Sequence, residues 1–447
     1  MIDLVDRLVQ GGAPAHLANA VTAALGPSAA DLLAADPWRL LEVPGIRPDQ
    51  ADAYARTLFR GTATLSDRRR SAALACWLLR RAASDGHTAM PVKTLLAALA
   101  TYDAAPSEPA ELSTDGRIVL CDAEVAALHT YGSLEEELAR TLTMLAEQTP
   151  DPVPGLPDNG LTTVLGTTLS ARRSYVSDLV AAAEACGRRV GRASGAAIRQ
   201  RIGVLVSADV AIVEDAELLS LPDAAALVEQ LSPGQRVVLV GDPALLPPRG
   251  PGQVFTDLLS RGGATVALPD RTERVLDGLV LNVRAGVLPR VEDLDRSVVV
   301  VPADDATAVR RTVQLVTDSI PRVFELAPDD VLVVTPRRGG IAGATALDMA
   351  LAKELGDAGA KPRAATVHEA LGRRPAAVVV VLPAESAGSL SRPLVAAAFG
   401  LADRHLSVVH ACGPALAEAV RRVPARPRLT RLAALLSQQL PDRVGVQ

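Results

Sequence analysis

The chain has 447 residues, too long for one ordinary core and suited to two to four domains. Nearly half of the residues are apolar, yet no run approaches the roughly 18–20 residues of a membrane span. The net charge of −5 excludes a protein that coats nucleic acid by bulk charge alone. Met1-Ile2-Asp3-Leu4 carries an acid where a signal peptide needs bases. Cys76, Cys121, Cys186 and Cys412 have neither metal spacing nor the density of a disulfide framework. The expectation is a soluble cytoplasmic protein with no membrane partner and no metal site. Residues 1–150 hold 13 basic and 19 acidic residues, and the remainder 33 and 32, so any nucleic-acid site must be local.

Residues 1–150 read as helical, with apolar spacing of i, i+3, i+4 and short Gly/Pro breaks. Within 1–60, Gly11-Gly12-Ala13-Pro14 and Val43-Pro44-Gly45-Ile46 have the character of tandem helix–hairpin–helix turns. In such a motif a tight Gly turn leaves helix N-terminal amides free to hold a DNA phosphate. Gly12, Gly45 and Arg47 are therefore candidate DNA contacts, although Arg47 stands where a second Gly would allow the closest approach. A plain αα-hairpin without a ligand is the alternative. Residues 61–150 read as a helical linker domain. Arg68-Arg69-Arg70 and Arg80-Arg81 predict a solvated basic face or a DNA-backbone track, and His87 a turn or packing residue.

Asp151–Pro157 is a linker by composition, and after it the texture changes. Continuous aliphatic runs at 162–166, 210–213, 236–241, 298–302, 331–336, 376–383 and 406–409 predict doubly covered strands of parallel sheets. Each is followed by a helical stretch. This alternation predicts two α/β domains, 151–290 and 291–447. The Pro/Arg-rich segment 421–431 predicts a docking segment before a last helix.

Two stretches carry a more specific pattern. From Arg236 the chain reads RVVLVGDPALLPPRGPGQVFTDLL, a strand ending in Gly241-Asp242-Pro243 and then a Pro/Gly loop entering a helix. From Thr335 it reads TPRRGGIAGATAL. Both resemble the RecD-like branch of superfamily 1 DNA helicases, at the third and fourth motifs. The resemblance runs from the N-terminal hairpins to about residue 412 and includes Asp115–Ile118 and Leu134–Ala139. It implies two RecA-like parallel-sheet domains of the P-loop NTPase type behind an all-α helix–hairpin–helix module. It also implies ATP with Mg²⁺ between those domains, 5′–3′ DNA unwinding, and a place in DNA repair or recombination.

At the family's motif positions this sequence departs from what nucleotide chemistry needs. Aligned on Ser174, the phosphate-loop Lys falls on Arg173, the Gly before it on Arg172 and the first loop Gly on Thr167. No lysine lies between Lys93 and Lys353 to supply a shifted register. The planar guanidinium of Arg is not a neutral substitute for that Lys. The acidic pair of the second motif is reversed, Glu214-Asp215, and a γ-phosphate-sensing Gln is replaced by Leu245. In the fifth motif Thr366-Val367-His368 survives, but Glu369, Ala370 and Leu371 stand where the resemblance expects Lys, Ser and Gln. The arginine finger falls on Gly400, with Arg392 and Arg404 nearby. The short stretches between Ala197 and Glu214, and between Asp348 and Thr366, leave no room for a strand-splitting pin or an SH3-like clamp.

The favoured reading is a helicase-derived DNA-binding or assembly protein that has lost ATP hydrolysis and strand separation. Arg337, Arg338, Thr335 and His368 are the candidate DNA contacts in the second α/β domain. Arg173, Ser174 and Asp242 are the remaining candidates for holding a nucleotide, and Leu169, Leu245 and Phe399 are expected to occupy the triphosphate space. The resemblance implies single-stranded or junction DNA as partner, and leaves room for a protein partner or an active helicase paralogue. Two alternatives remain open: an active ATP-dependent helicase, and a protein-interaction scaffold that binds no DNA.

Overall fold

The computed structural model describes residues 4–121, 124–261, 264–272, 274–290, 294–356 and 363–439. The chain divides into two compact units: Met1–Glu137 with Gly250–Gly252 and Arg428–Leu435, and Leu138–Arg249 with Gln253–Pro427 and Leu436–Gln447.

The first unit opens with short helices, α1 (Leu4–Gln10), α2 (Ala18–Leu25) and α3 (Ala29–Ala35), separated by Gly12 and Gly26, both at positive φ. A 3-10 turn, Pro37–Glu42, is capped by Asp36, whose carboxylate accepts the Trp38 amide at 3.1 Å. Helix α4 (Pro48–Leu58) follows, with Pro at its first position, where a missing N–H costs nothing. Trp38 is buried at the centre of the core with Leu8, Leu33 and Leu74, and its indole N–H donates to Asp52 at 2.9 Å. Helix α5 (Arg68–Ser84) carries the arginine run, and its arginines are engaged within the unit. Arg70 is buried and bonded to both Asp52 oxygens at 2.8 and 2.9 Å; Arg69 lies over the Phe59 ring at 4.9 Å; Arg68 pairs with Glu111 at 3.2 Å. Arg70 is thus a packing residue, while Arg68 and Arg69 are exposed, as expected of a solvated basic face.

A second correction concerns residues 61–150, which are not wholly helical. After α5, β1 (Ala89–Pro91), α6 (Val92–Ala100), β2 (Ile118–Cys121) and β3 (Val125–Leu128) build a three-stranded antiparallel sheet in the order β1-β3-β2. Helix α7 (His129–Glu147) follows. The edge of β1 receives the distant segment 428–435. The Thr88 amide donates to the Leu429 carbonyl at 2.9 Å, the Leu429 amide to His87 Nδ1 at 2.9 Å, and the Arg431 amide to buried Glu135 at 3.0 Å. Arg428 donates to the Gly250 and Gly252 carbonyls at 2.8 and 2.7 Å. The Pro/Arg-rich segment ends as a docked strap, and His87 serves that docking.

The second unit contains two five-stranded, all-parallel sheets. The first runs β4 (Leu161–Leu165), α8 (Leu169–Ala185), β5 (Val190–Ser194), α9 (Ile198–Val206), β6 (Val210–Glu214), α10 (Leu221–Val228), β7 (Arg236–Gly241), α11 (Val254–Arg261), β8 (Ala264–Ala267) and α12 (Val275–Arg284). Its order is β5-β6-β7-β4-β8. Chain connections diverge from β4, so the loops after β4, β6 and β7 meet at the C-terminal edge, where open α/β sheets place ligands.

The second sheet runs β9 (Val298–Pro302), α13 (Asp305–Gln314), α14 (Ile320–Phe324), β10 (Val331–Thr335), α15 (Ala344–Leu355), β11 (Ala364–Thr366), α16 (Val367–Ala370), β12 (Ala377–Leu382), α17 (Arg392–Phe399), β13 (His405–His410) and α18 (Ala415–Arg422), before α19 (Leu432–Gln439). Its order is β11-β10-β12-β13-β9. Both faces are covered, which explains the unbroken valine runs. Val378 and Val380 enter one core with α12 and α17, while Val379 and Val381 enter the other with Leu347 and Leu351 of α15. Helix α12 follows the first sheet in sequence yet lends Leu276, Leu279, Val280 and Val283 to the second sheet's core. Among the described residues no helix is long and apolar enough to cross a membrane.

Candidate functional site

Strand β4 ends at Leu165 and α8 begins at Leu169, so Gly166, Thr167 and Thr168 are the whole connection. Thr168 caps the helix, accepting the Ala171 amide at 3.3 Å. In the register aligned on Ser174, residues 169–172 would belong to a loop wrapping a phosphate. They are helical instead: no Gly interrupts Leu169–Arg173, and Leu, Ala and Arg are good helix formers. Buried Arg172 folds back and donates from Nη1 to the Gly166 carbonyl at 2.6 Å. A Cβ on Gly166 would run into the Arg172 Cγ, so the arginine stem fills the space over that glycine. Arg173 pairs with Asp403, and Ser174 sits inside the helix with Oγ 3.5 Å from Asp178. Arg173 and Ser174 both lie within helix α8.

The acids at the other strand ends are likewise committed. Glu214 accepts Arg192 at 2.8 and 3.1 Å. Asp215 is buried at φ 50°, a conformation few L-residues adopt, and it accepts Ser194 Oγ at 3.0 Å and the Arg374 guanidinium. Glu217, two residues further on, accepts the Asp242 amide at 3.1 Å. Burial and then the Asp215 charge push its carboxyl up to about 8. Asp242 is fully buried; Oδ1 accepts Arg284 at 3.0 Å and the Ala244 amide at 3.0 Å, while Oδ2 has no partner. Burial raises its pKa, with Arg284 opposing. Asp242 therefore anchors the interior through Oδ1.

Between the two sheets lies a cavity of about 40 Å³, room for about three waters at roughly 10–15 Å³ each. Leu169, Leu245 and Phe399 all line it, as does Gly400 at the C-cap of α17. Its charged lining includes Arg172, Arg274 and Arg374. Arg274 reaches Asp403 at 3.4 Å and Asp277 at 3.8 Å, and Asp277 accepts Ser170 Oγ at 2.5 Å. Arg392, a candidate replacement for the finger, donates to the Val420 and Arg421 carbonyls at 2.7 and 2.8 Å and is structural. Arg404 is exposed. As a seat for ATP and Mg²⁺ these residues do not fit: the acids already hold arginines or backbone amides, and the loop offers no amide nest.

A second polar surface follows β10. Thr335 is buried and its hydroxyl donates to the Ala342 carbonyl at 3.3 Å, so it closes the loop. Within this loop a Cβ on Gly343 would run into the Gly339 carbonyl, which leaves only Gly. Arg337 and Arg338 are exposed. Arg337 donates to the Glu385 carbonyl at 3.2 Å, and Arg338 pairs with Glu369. Arg249 approaches the same Glu369 at 3.8 Å and donates to Thr366 Oγ1 at 3.4 Å. His368 beside them is half-buried, and burial first and then the Arg249 charge lower its pKa. The carboxylate at 369, in place of an expected Lys, thus gathers two arginines.

In the first unit, Gly12 and Gly45 both take positive φ, 79° and 88°, as hairpin turns require. Around Gly45 the surface is open. At the following N-terminus of α4, however, Arg47 is bonded to Asp49 at 3.1 Å. The Arg47 hydrogen bond, its charge and the first amides of α4 hold Asp49 below the ordinary carboxylate range. A carboxylate therefore faces the amides where a phosphate would approach.

The fold is of the α/β P-loop NTPase type, with a helix–hairpin–helix module ahead of two parallel-sheet domains. Residues 1–89 match the family model of the HHH domain of ATP-dependent RecD2 DNA helicases, and residues 153–283 that of an AAA domain. In this order the chain carries a region similar to a RecD2-type HHH domain and a region similar to an AAA domain. Among solved structures, it is similar to arterivirus nonstructural protein 10 (helicase) with DNA, at 15% identity over 68% of this chain and 73% of that one, TM-score 0.33. Pif1 helicases at forked double-stranded DNA give 10% identity over 62% and 91%, TM-score 0.31. The helicase of PRRSV gives 12% over 65% and 57%, TM-score 0.27. No curated protein matches the sequence.

Proposed function

We propose that this chain is a helicase-derived DNA-binding or assembly protein that neither turns over ATP nor separates strands. The observation that carries the reading is the β4–α8 connection: three residues, with Arg172 folded over Gly166, where a phosphate loop needs an amide nest and a Lys. DNA is the favoured partner because the RecD2-type hairpin module is retained and because Arg337 and Arg338 stand exposed on one loop. The pairing of Arg338 with Glu369 is no obstacle, since exposed ion pairs contribute only about 0–1 kcal/mol and a phosphate can replace the carboxylate.

A mobility-shift titration with single- and double-stranded DNA, run at several salt concentrations, tests the DNA arm. Replacing Arg337 and Arg338 by Ala is expected to lower the salt slope by about 2, roughly one for each phosphate that loses its arginine. An unchanged slope removes this loop from the interface. Titration with a fluorescent ATP analogue and Mg²⁺ tests the other arm, and saturable binding would contradict it. The scaffold reading has one specific observation in its favour, the Asp49 carboxylate over the α4 amides. Absence of any DNA shift at low salt would establish that reading instead.

A further inference from the structure

Three features of the second unit bring the two sheets together. Arg374, ahead of β12, bonds to Asp215 at the end of β6. Arg173 of α8 bonds to Asp403 ahead of β13, and Arg274 shares that carboxylate at 3.4 Å. Near the first of these pairs the chain segments approach closely: Gly372 takes φ +80°, and a Cβ there would lie 2.6 Å from Ser194 Oγ at the end of β5. A strained conformation at Asp215 persists only when its surroundings over-determine it, and Ser194 and Arg374 do so from opposite sheets.

We infer that these cross-cleft ion pairs form a built-in latch that fixes the two parallel-sheet domains in one arrangement, with protein charges bridging the cleft. The inference rests on the reading that no nucleotide works there. The Arg374–Asp215 pair is the main fastener, because its carboxylate is buried and its guanidinium mostly so. Removing one partner leaves an uncompensated buried charge, whereas the half-exposed Arg173–Asp403 pair is screened by water. The latch makes the second unit behave as a single rigid platform.

Hydrogen exchange on the full chain, read by mass spectrometry, tests this. In Arg374→Ala, exchange in residues 169–176 and 396–402 is expected to accelerate by about tenfold or more, while β7 and β12 keep their protection. Arg374→Lys is expected to restore most of the protection. Where Arg374→Ala fails to fold, Asp403→Asn gives the same reading from the far pair, with a smaller acceleration. Unchanged exchange at the cleft, or equal acceleration in β7 and β12, overturns the latch alone. Protection of residues 166–174 when ATP and Mg²⁺ are added to the unmodified chain overturns the nucleotide-free reading, and the latch with it.

Discussion

The cleft between the two sheets and the loop after β10 are both rich in arginine, yet they use their charges differently. In the cleft, Arg172, Arg284 and Arg374 are met by backbone carbonyls or by Asp242 and Asp215, which are nearly or wholly buried. On the loop, Arg337 and Arg338 are exposed and share one carbonyl and one carboxylate. Buried charges are costly unless paired, and each of these arginines already meets a protein acceptor. Exposed charges held by weak pairs can exchange partners. On the proposed reading, the difference separates a region that has become interior from one that faces an outside partner.

The strongest way to break this contrast is at Asp242. Replacing it with Ala leaves Arg284 partly buried without its carboxylate, and the expected loss is about 3–5 kcal/mol in a urea unfolding titration. A loss below about 1 kcal/mol would mean that the cleft charges are not anchored as described. A smaller effect is expected from pH. The folded pKa of Glu217 is raised to about 8, so its protonated form favours folding. That contribution is fully present below the ordinary value of 4.5 and is lost as pH rises through about 8. Stability should therefore fall as pH rises from about 4.5 to about 8 in the unmodified chain, and the Glu217→Gln variant should flatten that slope. A variant with the same slope would place the titration elsewhere.

On the exposed side, Glu369→Gln sharpens the comparison with the smallest effect. Freed of the carboxylate, Arg338 is expected to bind single-stranded DNA up to about fivefold more tightly, matching the worth of an exposed pair. The salt slope should steepen by up to about 1. Weaker binding in this variant would show that Glu369 positions the loop and does not merely compete for it.

Much of the fold was legible from the residues, and the gaps have a common cause. The runs at Arg236–Gly241 and 376–383 match β7 and β12, because doubly covered strands write continuous aliphatic signatures. The missed strands of the parallel sheets, β5, β8 and β11, all lie at sheet edges. An edge strand pairs on one side only, and Val-Gly-Arg-Ala-Ser or Ala-Ala-Thr carries no long apolar run. The small antiparallel sheet was hidden by alanine, since Val-Ala-Ala-Leu reads as readily as helix. At the site, Leu169, Leu245 and Phe399 could be placed in the cavity because motif positions fix them along the chain. The burial of Asp242 and the closure role of Thr335 could not, because both depend on what packs over the strand end. Nor could Arg274, Arg284 and Arg374, single arginines whose partners lie in distant segments, except where Arg274 meets Asp277 within a helical turn. Local spacing carries no signal for such pairs.

Steady-state ATP hydrolysis, with and without single-stranded DNA and with Arg173→Ala as the reference, tests the central claim most directly. The arrangement of Gly166, Arg172 and the buried acids predicts no turnover above that of the variant. Turnover near 1 s⁻¹ that disappears in Arg173→Ala would place the chain among working enzymes at the slow end of the usual range. It would contradict the claim that the cleft has become interior.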